Sequence, residues 1–235
     1  MTTYKLTYFN ITGLGEPIRF MLHYGGVKFE DVRVSFDEWP KHKPNMPMGQ
    51  LPVLEIDGKK YSQSMAILRY LAKKFSLYGK DDIEALEIDG AADSISDMRI
   101  YRLLSTWYME KNPDAKEKLK VTACKKLADI LDRFNAQVKK NGGYLVGGKM
   151  SYADVLYAGL NGFLSQGIGY DMNKDHPELK KLVDQVFANP NVKTYLEKRP
   201  KTDFLERFSM RERLFLIYMT INLLSSFIYM YIYNI

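Results

Sequence analysis

Cysteine is almost missing from this chain of 235 residues: Cys124 stands alone, so an internal disulfide is excluded and a reducing compartment is the expected setting. Metal-ligand spacing is missing too, because His23, His42 and His176 are scattered singly, and no metal is expected. Gly13-Leu14-Gly15 lacks the third glycine of a dinucleotide loop, and no glycine-lysine-serine or glycine-lysine-threonine run offers a nucleoside triphosphate cradle. Met1 to Asn10 has neither an apolar core nor a small-residue cleavage site, so no secretory signal is expected. Internal repeats and low-complexity runs are absent. A charge surplus is present, at +6, but it dissolves when divided along the chain: residues 1–78 carry 11 basic and 7 acidic side chains, residues 79–204 carry 20 and 19. The lysines of 116–126 and 139–140 alternate with acids and apolar residues at helical spacing, which describes a solvated face, and no nucleic-acid partner is expected.

What the chain does have is ordered punctuation. Hydrophobic residues make up 46%, enough for a sizeable core in one or two domains. Tyr4 to Tyr8 reads as a strand, Glu16 to Tyr24 as a helix with Pro17 in its first turn, and Phe29 to Val34 as a second strand. Residues 37–48, with three prolines, form an irregular connection. Gln50-Leu51-Pro52 then leads an extended backbone into a strand over Val53 to Ile56, where Leu51 can offer its amide and carbonyl to a peptide laid alongside. Asp57-Gly58 signals a hairpin, and Met65, Leu68, Leu71 and Ala72 recur at helical spacing over 63–75. Ser62-Gln63-Ser64 sits where that helix leaves its first amides unpaired, an anion site suited to a carboxylate. The order βαβ, loop, ββα is thioredoxin-like, yet a dithiol activity would need cysteine near Asn10, and there is none. Residues 76–82 read as a linker. Beyond it come helical patterns over 83–109 and 117–138, a capping box at Ser151 and Asp154, and shorter helices near 177–188 and 191–198. Cys124, inside one of these patterns, reads as a small buried or half-buried residue. The expected fold is an α/β thioredoxin-like domain over residues 1–78 followed by an all-helical domain over 83–204.

Tyr4-Lys5-Leu6-Thr7-Tyr8-Phe9-Asn10, Glu16-Pro17-Ile18-Arg19, Trp39-Pro40, the 46–58 run, Gln63-Ser64 and Ser151-Tyr152-Ala153-Asp154 occur in an order that resembles a cytosolic glutathione S-transferase. Together they look like the sigma class, and Leu14-Gly15-Glu16-Pro17-Ile18-Arg19-Phe20 looks like its insect members; the resemblance covers about residues 2–204. It implies a homodimer with glutathione as co-substrate, a tripeptide bearing two carboxylates and one amine. Tyr8 would then be catalytic. A free thiol with a pKa near 8.5 is only a few per cent thiolate at neutral pH, and a tyrosine hydroxyl donating to the sulfur favours the anion. Gln63 and Ser64 would take the γ-glutamyl carboxylate, and Leu51 would pair with the cysteinyl backbone beside a cis Pro52. Trp39 and Lys43 would hold the glycyl end with Gly49 and Gln50 beside them, and Asp97 would reach the ligand amine from the partner subunit.

One position departs from the pattern. Vertebrate sigma-class members carry an arginine where this chain has Leu14, and losing that cation argues against a vertebrate-type prostaglandin isomerase, whereas conjugation needs only the tyrosine. Leu14 and Phe9, with residues of 98–108 and 152–160, would line an apolar pocket for hydrophobic electrophiles such as lipid peroxidation products, with peroxidase activity toward hydroperoxides as a second reaction. The rival readings are a crystallin-like structural or binding protein of the same fold, and an isomerase. The location implied is cytoplasmic. Residues 205–235 stand outside the resemblance, and 214–235 carry no charged side chain. That segment reads in three ways: a membrane tail anchor, an extra packed helix, or a non-native ending.

Overall fold

Register explains why distant parts of the sequence meet. In the computed structural model, which describes residues 2–97, 110, 112–168 and 170–202, the strands β1 (Tyr4–Phe9), β2 (Glu30–Val34), β3 (Val53–Ile56) and β4 (Lys59–Ser62) form one sheet in the order β2-β1-β3-β4. β1 pairs parallel with β2, setting Tyr8 opposite Arg33, and antiparallel with β3, setting Thr7 opposite Val53. Val53 in turn faces Ser62 of β4. Continuing these ladders puts Tyr8, the Leu51-Pro52 peptide, Gln63 and the chain leaving Val34 for Trp39 at one end of the sheet. That end is the carboxyl end of the parallel pair, where open α/β sheets hold ligands. Asp57 and Gly58 both take positive φ, 49° and 84°, as the two-residue hairpin turn requires.

Helix α1 (Gly15–Tyr24) crosses between β1 and β2, a short α2 (Trp39–His42) opens the irregular stretch, and α3 (Ser64–Lys74) follows the hairpin. α3 buries Ile67, Leu68, Leu71 and Ala72 against the neighbourhood of α1, a stripe at i, i+1, i+4 and i+5 that matches helical periodicity. Truncating either leucine to alanine would cost about 2–5 kcal/mol. The helical half contains α4 (Asp82–Asp97), α5 (Pro113–Lys140), α6 (Tyr152–Ile168), α7 (Pro177–Phe187) and α8 (Pro190–Lys198). α5 begins earlier than its apolar pattern suggests because Asn112 caps it, its side chain accepting from the amides of Asp114 and Ala115, with Pro113 preset for the first turn. The expected helix over 83–109 is present to Asp97; its remainder, like residues 203–235, lies outside the described residues. Among the described residues no helix is long and apolar enough to cross a membrane.

The two halves share one contiguous core. α1 lies against α6, and a Cβ at Gly159 would stand 2.8 Å from Pro17, so glycine is what lets these helices approach. The linker is pinned as well: the Tyr152 amide donates to the Leu77 carbonyl at 2.9 Å. Of the expected capping box, the acidic half forms as read, with Asp154 Oδ2 accepting from the Ser151 amide at 2.7 Å. The serine half differs: the Ser151 hydroxyl donates to that same carboxylate at 2.8 Å, because Asp154 is fully buried and needs every donor within reach.

Candidate active site

Tyr8 lies one residue before the end of β1 with its side chain wholly buried. Its hydroxyl oxygen accepts from the Leu14 amide at 3.0 Å. Burial pushes its pKa well up, against smaller opposing effects from the Leu14 amide and the Arg19 guanidinium, so the phenol stays protonated at neutral pH. With one lone pair engaged by Leu14, the hydroxyl keeps its proton to donate. It is built as a hydrogen-bond donor, not as a base.

Room for that ring comes from residues whose role escaped the sequence reading. A Cβ at Gly15 would fall 2.3 Å from Tyr8 Cδ1, and one at Gly13, where φ is +37°, would fall 2.7 Å from the hydroxyl. The Gly13-Leu14-Gly15 run that fails as a nucleotide loop is the wrapping of the tyrosine. Only a second glycine at a spacing unsuited to phosphate hinted at it. Nothing in the spacing of Glu16 and Arg19 announces a role for them beside the tyrosine. Arg19 lies 5.8 Å from the Tyr8 ring centroid and is fully buried, with Asp31 and Glu16 as ion-pair partners.

The expected ligand contacts gather at the same end of the sheet. The Leu51-Pro52 peptide is cis, and Leu51 and Pro52 are buried at the mouth of β3. Gln63 takes φ +76°, a strained conformation for a residue with a side chain, directly ahead of α3. No side chain caps α3, so its first amides around Ser64 are available to a carboxylate. Trp39 is 2% exposed, and its indole N–H is buried without a partner among the described residues, a condition that costs about 1–3 kcal/mol until an acceptor arrives. Lys43 is exposed beside Gly49, whose φ is +59°; a Cβ there would sit 3.4 Å from the lysine side chain. The segment carrying Gly49 and Gln50 is tied to β4 through Lys60, which donates to the Asn45 carbonyl at 3.0 Å. These donors fit a small peptide with two carboxylates. Asp97 is exposed at the end of α4.

The two residues expected to line an apolar pocket part company. Leu14 is half-buried in the loop after β1. Phe9 is 2% exposed, stacked on Phe36 at 4.6 Å and edge-on to Trp39 at 5.4 Å, so in this chain its ring fills the α/β core beneath the site. Residues 98–108 lie outside the described residues. No group of three or more potential metal ligands occurs among the described residues.

Comparison with known proteins agrees with this geometry. The pattern of the glutathione S-transferase N-terminal domain matches residues 4–73 and that of the C-terminal domain residues 96–199. A glutathione S-transferase of Anopheles gambiae is 44% identical over 204 residues, covering 86% of this chain and 100% of the relative. Glutathione S-transferase S1 of Drosophila melanogaster is 41% identical over 202 residues, 86% of this chain and 80% of the relative. Among solved structures, prostaglandin synthase D of Nilaparvata lugens superposes with a TM-score of 0.78 at 43% identity, covering 85% of this chain and 99% of that one. With its thioredoxin-like sheet, helical second half and buried tyrosine at the sheet's carboxyl end, this chain belongs to the glutathione S-transferase family and is a transferase that uses glutathione as co-substrate.

Proposed function

We propose that the protein is a sigma-class, insect-type, cytoplasmic homodimer that uses Tyr8 to activate glutathione and conjugates it to hydrophobic electrophiles, lipid peroxidation products among them, with peroxidase activity as a second reaction. The observation that carries the reading is the Tyr8 hydroxyl: buried, protonated, and with its acceptor side already taken by the Leu14 amide. Its remaining proton would meet the glutathione sulfur and stabilise the thiolate. A drop of about two units in the thiol pKa corresponds to about 2.7 kcal/mol. The other contacts follow from charge. The amides of α3 with Gln63 and Ser64 suit the γ-glutamyl carboxylate, Leu51 the peptide backbone, and the Trp39 indole, which has no partner among the described residues, with Lys43, Gly49 and Gln50 the glycyl end. Asp97 of the partner subunit would face the amine. Leu14 would be the wall met by the electrophile.

Tyr8→Phe removes only the donor. Its expected effect is a ten- to thousand-fold fall in turnover with an aryl halide or a lipid hydroperoxide, at about the same glutathione affinity. Unchanged rates would dismiss Tyr8 as the activator, and absence of turnover in the unaltered protein would favour the crystallin-like reading. An isomerase reading has one observation in its favour, the likeness to a protein called prostaglandin synthase D, and one against it, the uncharged Leu14 beside Tyr8.

A further inference from the structure

We infer that Glu16 and Arg19, tied to Tyr195 and Arg199 of the helical domain, form a positioning unit that sets where the Leu14 amide meets the Tyr8 hydroxyl, and so tunes thiol activation from across the domain boundary. The inference rests on Tyr8 being the thiol activator.

Glu16 is 1% exposed, and three side chains among the described residues donate to its carboxylate. Oε1 accepts from Arg199 Nη1 at 2.8 Å, Oε2 from Arg19 Nη1 at 3.1 Å, and the Tyr195 hydroxyl stands 3.1 Å from both oxygens. Arg19, wholly buried, reaches the loop after β1: its Nη1 donates to the Ile11 carbonyl at 3.0 Å and its Nη2 to the Phe9 carbonyl at 3.5 Å. The Glu16 amide donates to the Thr12 carbonyl at 2.9 Å. Carbonyls along residues 9–12 are thus drawn toward α1, while the next amide of the loop with a side-chain partner, that of Leu14, is delivered to the phenol. Shifting either anchor shifts the donor that orients the catalytic hydroxyl.

Stability is a poor reason for this arrangement. A buried cluster of charges repays its desolvation only in part, and apolar side chains of similar volume often serve a fold as well. Its course across the molecule is more telling. Arg33 joins it from β2, donating to the Tyr195 hydroxyl at 3.2 Å and pairing with Asp31, which also pairs with Arg19. His23 of α1 stacks on Tyr195 at 4.3 Å, its pKa lowered by burial despite Asp31 and Glu16. The chain beyond α8 then returns to the active-site loop, where the Asn10 side chain donates to the Lys201 carbonyl at 3.5 Å. The position of α8 and the geometry of Tyr8 are therefore linked by hydrogen bonds that end on the carbonyls of residues 9–12 and by the short stretch of backbone from there to the Leu14 amide.

The test is the pH dependence of aryl halide conjugation at saturating glutathione, which reads the pKa of the bound thiol, in Arg199→Met, Tyr195→Phe, Arg199→Lys and Tyr8→Phe. Arg199→Met and Tyr195→Phe are expected to raise that pKa by about half to one unit, a loss of about threefold to tenfold below it. Rates should merge with those of the unaltered protein at high pH, with the glutathione KM within about twofold, and Arg199→Lys should bring the pKa most of the way back to that of the unaltered protein. A bound-thiol pKa unmoved in both variants, whatever their melting temperatures, overturns the inference; should Arg199→Met fail to fold, Tyr195→Phe, which deletes one oxygen, decides. If Tyr8→Phe also leaves the pKa in place, the assignment of Tyr8 falls. If only Tyr8→Phe moves it, the positioning unit falls alone.

Discussion

Gly13 and Gly15 matter because of the atoms they do not have. Tyr8 is held by a loop passing so close that a single methyl group would collide with its ring, 2.3 Å from Cδ1 in the case of Gly15. Gly15→Ala should therefore leave the protein folded and displace the phenol. A misplacement on the order of 1 Å at a reacting group can cost up to about a hundred-fold, so kcat/KM should fall at least about tenfold. The readouts are the rate and the far-ultraviolet circular dichroism taken together; a folded variant at full activity would mean that the ring position is not what limits the chemistry. The tyrosine itself was legible in the sequence through the motif around it. Its glycine wrapping was not, since nothing in a Gly-X-Gly spacing says which side chain will fill the space.

At the scale of the element, the start of α6 combines a readable signal with an unreadable consequence. Serine three residues ahead of aspartate announces a capped helix, and the acidic half of that cap is there. The sequence does not say that Asp154 also accepts from the Leu145 amide at 2.8 Å, or that burial outweighs these donors and lifts its pKa from 3.8 to about 6. A carboxyl whose pKa is raised on folding adds stability that is complete below the unfolded value and fades as pH rises through the folded one. The stability difference between the unaltered protein and Asp154→Asn should thus change between about pH 4 and pH 6, by roughly 2–3 kcal/mol in favour of the aspartate at the acid end, and level off above. Urea titrations at several pH values measure it. A difference independent of pH would show that Asp154 titrates as an ordinary carboxyl. α3 teaches a similar lesson: its apolar stripe marked the helix, but only the sheet register put its uncapped start at the same end of the sheet as Tyr8.

At the scale of the whole molecule, two polar nodes among the described residues join the domains, in addition to the core. One is the Glu16 cluster. The other is Asp89 of α4, which accepts hydrogen bonds from Tyr78 in the linker at 2.6 Å, from Tyr152 of α6, and from Arg69 of α3 at 3.0 Å. Burial disfavours its charge, but the two tyrosines and the arginine outweigh it and hold its pKa below the usual range. Arg69 also bonds Asp93 at 2.8 Å, so it keeps one partner if Asp89 is changed. Asp89→Asn should cost about 1–3 kcal/mol, read as a lower urea midpoint at constant m. An unaltered midpoint would reduce this node to a surface contact.

The sequence by itself determined the two-part fold and the place of the hairpin, and it singled out the start of α3 and Tyr8 as candidates, because periodicity, turn chemistry and a motif in order are local properties of a chain. Only the tertiary structure decided what surrounds them: Phe9 is core filling beneath the site, the glycines wrap Tyr8, and Glu16 reaches residues some 180 positions away. Contacts of that kind arise from packing between elements, and side chains brought together by a shared core leave no spacing in the sequence from which to read them.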